Sequence, residues 1–181
     1  VTGDIQTLTR PMTFAAIDAG STATVNDNGS IPSSDQGKLS VDATRALSLS
    51  GGDGVDLPPG TYNFSSLKLS GGSVIRIAGP TTIYVTGNVD ISGGSVSNAS
   101  LLPSNLQLLV MGTTCNISGS SEMYGVVYAP GAAVVRSGSS SYYGSIIGAS
   151  LDLSGSGGIH ADDSLDFDYL KSGKASVRLV Q

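Results

Sequence analysis

LDLSGSGGIH, residues 151–160, alternates aliphatic and polar positions, then breaks on Ser-Gly, and the chain has used that phrase before. LSLSGG stands at 47–52, LKLSGG at 67–72, VDISGG at 89–94 and CNISGS at 115–120. With VVRSG (134–138) as a further copy, the Ser-Gly pairs fall at 50–51, 70–71, 92–93, 118–119, 137–138 and 154–155. The longest interval runs from Ser92 to Ser118 and the shortest from Ser137 to Ser154. A phrase returning about every 20 residues predicts a solenoid, in which each repeat is one coil stacked on the last.

The alternation says which way the side chains point. Leu47/Leu49, Leu67/Leu69, Val89/Ile91 and Leu151/Leu153 flank Ser48, Lys68, Asp90 and Asp152, and Asn116 holds the same middle place. Period two sends the flanking pair to one face, the core, and the middle residue to solvent. VVRSG breaks the pattern, with Arg136 where an aliphatic belongs, which predicts either a bulge or a one-residue slip of the alignment there. Other short runs fill the intervals: VIRIAG (74–79), TIYVTG (82–87), LQLLVMG (106–112) and YGVVYAPG (124–131), each closed by glycine. No helix-period stretch separates them, so the crossover helices of an α/β fold are lacking. The expected fold is all-β, a single-stranded right-handed parallel β-helix of about six turns with terminal capping segments. At about 4.8 Å per coil it forms a rod on the order of 30 Å long. Gly51, Gly71, Gly93, Gly119, Gly138 and Gly155 are the expected corner residues, because glycine turns a corner without a Cβ penalty. SNASLLPSN (97–105), inside the longest interval, reads as a projecting loop.

The 181 residues read as one domain. Residues 41–160 carry the coils. Residues 1–40 lack the phrase and are expected to cover one end or run along the side. Residues 161–181, ending on the alternating ASVRLVQ, are expected to form a C-terminal cap or tail strand. Tyr124-Gly and Tyr143-Gly are separated by the same stretch of chain as Ser118 and Ser137, one coil, which predicts rings stacked on successive coils.

Composition bounds the function. The net charge is −5, and the nine Lys and Arg residues are scattered, which argues against a nucleic-acid partner. No stretch approaches the roughly 18 apolar residues of a membrane span. Val1 opens the chain without a methionine, so removal of a leader or N-terminal anchor stays open. Cys115 is the only cysteine and occupies a core position, so it reads as a small buried hydrophobe. Asp162, Asp163, Asp166 and Asp168 are carboxylates of the kind that suit Ca²⁺, but their spacing matches no EF-hand loop or zinc signature, and no metal or other cofactor is expected. The outward row Lys68, Asp90, Asn116 and Asp152 is the best candidate face for glycan binding or polysaccharide cleavage.

From PPGTYNFSSLKLSGG (58–72) through IYVTGNVDISGG (83–94), YGVVYAPGAAV (124–134) and YGSIIGASLDLSGSGGIH (143–160), the chain resembles a bacterial family. These are the C-terminal β-helix domains of surface and pilus-associated proteins that carry a PilX-type N-terminal segment. Gly60-Thr61-Tyr62, Tyr-Ala-Pro-Gly at 128–131 and Gly-Ile-His at 158–160 carry the likeness, with Gly131 where many members have Asn. A weaker likeness is to bactofilin-type β-helices, which polymerise end to end. The resemblance implies an extracellular or cell-surface protein that is secreted and not an enzyme. Its expected role is structural, in adhesion or a pilus-related assembly. Its expected partners are other cell-surface or pilus proteins, or copies of itself in a homo-oligomer. Two alternatives stay open: a self-polymerising filament subunit, and a glycan-binding or polysaccharide-cleaving β-helix.

Overall fold

A computed structural model describes residues 13–40, 45–119, 121–162 and 165. They form a parallel β-solenoid. The first coil holds β1 (Leu47–Leu49), β2 (Gly54–Leu57) and β3 (Gly60–Phe64). The second holds β4 (Leu67–Ser70), β5 (Val74–Ile77) and β6 (Thr81–Val85). The third holds β7 (Val89–Ser92), β8 (Ser95–Asn98) and β9 (Leu106–Val110). Above them β10 (Thr114–Ser118) is followed by two long strands, β11 (Met123–Ser137) and β12 (Tyr142–Leu153), that continue around a corner, and β13 (Ile159–Ala161) begins a further turn. All the ladders between these strands are parallel.

Register stacks like on like. Leu47, Leu67, Val89, Cys115, Val134 and Leu151 form one inward column. Leu49, Leu69, Ile91, Ile117, Arg136 and Leu153 form the next, six coils in all. Val55, Ile75 and Val96 line a second side, and Tyr62, Ile83, Leu108, Val127 and Ile146 a third. The aliphatic members of the lower coils are buried, each worth roughly 1.5–3 kcal/mol relative to exposure. This dry interior makes the phrase recur.

The unequal intervals have local causes. Val74 on β5 pairs with Ser95 on β8, whereas Thr81 on β6 pairs with Leu106 on β9, so the segment after Asn98 holds four extra residues. Ser97 and Asn98 themselves belong to β8, so the projecting loop is shorter than the sequence suggested. The shortest interval, from Ser137 to Ser154, follows the shift in β11–β12 register between Ala129 and Ala133, at Pro130-Gly131. At the Ser-Gly corners Gly51, Gly71, Gly93, Gly138 and Gly155 have φ between +61° and +114°. Gly119 is not among the positive-φ residues. Its demand is spatial instead, since a Cβ there would lie 2.9 Å from the Gly94 carbonyl oxygen.

The first coil would leave three strand edges bare, and residues 26–40 cover all three. Asp27 Oδ2 accepts from the Thr61 amide at 2.7 Å, while Asn28 accepts from Asn63 N and donates to Asn63 O. On β2, Asp35 Oδ2 accepts from Asp56 N at 3.3 Å and Lys38 Nζ donates to Gly54 O. On β1, Leu39 forms an antiparallel bridge with Leu47. Ile31 and Leu39 are buried beneath this cap. The segment before it runs along the side, where the Tyr128 hydroxyl donates to Ala15 O at 2.5 Å. Side chains on β2 and β3, and the Leu39 backbone on β1, here replace the strand that an open edge would recruit from another molecule. Residues 1–12, and the expected tail strand at 175–181, lie outside the described residues.

Candidate functional site

Four places on the solenoid gather side chains capable of chemistry or recognition. First, the ladders bring Ser48, Lys68, Asp90, Asn116, Val135 and Asp152 into one outward row, as the alternation implied. Lys68 and Asp90 are register partners on adjacent coils. The ion pairs among the described residues are elsewhere, at Lys38–Asp35 (2.8 Å) and Arg76–Asp56 (3.1 Å). The row therefore spaces its charged groups one per coil, with neutral Asn116 and Val135 between Asp90 and Asp152. Two carboxylates cleaving a sugar link need to flank a single bond.

Second, Tyr124 and Tyr143 stack with ring centroids 4.5 Å apart and planes 5° from parallel, and His160 continues the ladder at 4.6 Å and 12°. The coil-to-coil register that pairs Tyr124 with Tyr143 also pairs Tyr143 with His160, which sequence reasoning missed. A sugar stacks on an aromatic face, and Tyr143 has both faces covered. The ladder works as packing between coils. Tyr124 also donates to Glu122 Oε2 at 3.0 Å.

Third, the loop after β8 is tied by its own hydrogen bonds. Asn98 Nδ2 donates to Leu102 O (2.8 Å) and Tyr124 O (3.2 Å), and its Oδ1 accepts from Ser100 N and Oγ. This frame holds Leu101 at φ +55° and leaves Leu101 and Leu102 exposed. A bulky side chain in that conformation marks stored strain.

Fourth, the last described coil exposes two aliphatics. Leu151 and Leu153 sit in inward columns whose lower aliphatics are buried, yet they are 48% and 53% exposed. Beneath Leu153, Arg136 takes the aliphatic position, and its register partners Ile117 and Leu153 show that the alignment does not slip there. The bulge lies earlier in the same strand, between Ala129 and Ala133. Arg136 is 5% exposed, and burial pulls its guanidinium below its ordinary pKa, although arginine still keeps its proton. Nη1 donates to Ser137 O, and Nη2 donates to Ser140 O (2.5 Å) and Ser140 Oγ (3.0 Å).

The remaining candidates resolve simply. Asp162 follows β13, while Asp163, Asp166 and Asp168 lie outside the described residues. Among the described residues no three His, Cys, Asp or Glu side chains are grouped to hold a metal ion. Cys115 is buried, and burial pushes its thiol up to about 12, which suits an inert core residue. A surface hollow of about 400 Å³ beside β3 is lined by Asn26, Asn28, Arg45 and Asn63, among others. Its three amides are engaged in fastening the N-terminal segment. No helix among the described residues is long and apolar enough to cross a membrane.

Residues 39–167 match the model of a domain family of unknown function, DUF7305. The match begins where the cap hands over to the first coil. No curated protein and no solved structure matches the chain.

Proposed function

The chain belongs to the DUF7305 family, and we propose that it is an extracellular structural protein, a rigid non-catalytic rod in a pilus-related or other cell-surface assembly, presenting its side faces for adhesion. The observation that supports this reading is the outward row of polar groups, in register on five of its six coils, over a backbone held by continuous ladders. Such a surface offers many weak, repeated contacts and a stiff mount, which adhesion uses, and few convergent groups, which catalysis requires.

The filament alternative draws support from the exposed Leu151 and Leu153 at one end. Head-to-tail growth needs a matching open edge at the other, and there residues 26–40 occupy the strand edges. The side faces are therefore the favoured contact surfaces.

Antibody labelling of intact cells that make the protein naturally, with permeabilised cells as reference, tests the proposal. Labelling of intact cells, together with loss of surface attachment when the gene is deleted, is expected. Labelling only after permeabilisation would overturn it.

A further inference from the structure

Beneath the last described coil lies a buried cation that pairs with no carboxylate among the described residues. Arg136 is nineteen-twentieths buried, and its Nε has no hydrogen-bond partner, while its two Nη atoms face the corner oxygens of Ser137 and Ser140. Both ion pairs among the described residues lie elsewhere, one within the N-terminal cap and one between the first two coils. Against Arg136 lies a cavity of about 240 Å³, lined also by Leu153, Ile159, Ser154, Gly155, Gly157 and Gly158. A guanidinium cannot shed its proton to escape burial, so its charge calls for an anion. With both Nη atoms held by the corner oxygens, the unpartnered Nε–H is the donor left for a carboxylate oxygen, and the exposed leucine and isoleucine suit the carbon attached to one.

We propose that this cavity is a receptor for a carboxylate carried on an apolar group, with Arg136 as its cation. This does not rest on the adhesion reading. The carboxylate has two sources: the chain's own acidic run, Asp162, Asp163, Asp166 and Asp168, or a separate carboxylic acid. Leu153, directly above Arg136 in register and half exposed, lines the cavity beside it.

The test is the Arg136 Nε–H signal in ¹⁵N-labelled full-length protein, assigned by its loss in Arg136→Lys. It is followed in the native chain and in a variant carrying Asp162→Asn, Asp163→Asn, Asp166→Asn and Asp168→Asn. Each protein is titrated with sodium butyrate against equal sodium chloride. A signal that moves between the two proteins identifies the chain's own run as the occupant. A signal equal in both that shifts saturably with butyrate and not with chloride identifies a separate acid. A signal that is the same in both and unmoved by butyrate overturns the proposal and leaves Arg136 as a bracket for its corner.

Discussion

Asn28 pairs with Asn63 as if its side chain were a neighbouring strand, donating to the Asn63 carbonyl at 2.7 Å and accepting from its amide at 3.0 Å. The two residues are far apart in sequence, and this reciprocal pair closes the outer edge of β3. Replacing Asn28 with Ala removes both bonds. A loss of roughly 1–3 kcal/mol in urea unfolding is expected, because the β3 edge and a buried cap position lose their partners. Asp27→Ala is expected to act in the same direction. An unchanged urea midpoint in both variants would mean that the cap is not fastened this way.

The close approach of coils makes some glycines irreplaceable and others not. Gly144 has φ +133°, and a Cβ there would meet the Gly125 carbonyl oxygen on the coil below. Gly144→Ala is expected to destabilise by at least about 2 kcal/mol. Gly131 has open space around it and no positive φ, so Gly131→Ala is expected to stay within about 0.5 kcal/mol. Thermal unfolding of the two variants side by side measures the contrast.

The aromatic ladder gives a graded result. Tyr143 stacks on both Tyr124 and His160, whereas His160 is exposed and stacks on Tyr143. With aromatic pairs worth about 0.5–1.5 kcal/mol each, Tyr143→Ala is expected to cost more than His160→Ala. Equal costs in chemical denaturation would show that the stack carries no energy of its own.

Acid should loosen the cap on β2 first. The hydrogen bond from Lys38 holds the Asp35 carboxyl below its ordinary pKa, opposed by burial and helped by the Asp56 amide. A carboxylate with a depressed folded pKa stabilises above its unfolded value, about 3.9, and that contribution is lost as pH falls through the folded value. Exchange of the Asp56 amide is therefore expected to quicken in that acidic window. Asp35→Asn is expected to remove the dependence.

The opposite sign applies to Cys115. Burial raises its thiol to about 12, so the folded state keeps a proton that the unfolded state gives up near about 8.5. Its contribution is complete below about pH 8.5 and declines from there toward 12. At neutral pH, labelling by a thiol reagent is expected to follow global unfolding. Rapid labelling of the native protein would contradict the burial.

Much of the coil was legible because it depends on local alternation. Ser48, Lys68, Asp90, Asn116 and Asp152 point outward and their neighbours inward, as period two requires. Arg136 was legible as an anomaly but not as a buried cation. The alternation says where its Cα lies, whereas the reach of its side chain to Ser137 and Ser140 depends on the path of the corner. The cap was not legible. Asp27, Asn28 and Asp35 look like turn residues in sequence, and their bonds to Thr61, Asn63 and Asp56 form only once the first coil exists. His160 carried a usable signal, since it follows Tyr143 by the same stretch of chain that separates Ser137 from Ser154.

Electron microscopy of the purified full-length chain tests most directly whether the coils form a discrete rod closed at its N-terminal end. Short particles of uniform length, unchanged as protein concentration rises, are expected. Filaments that lengthen with concentration would contradict the closed end.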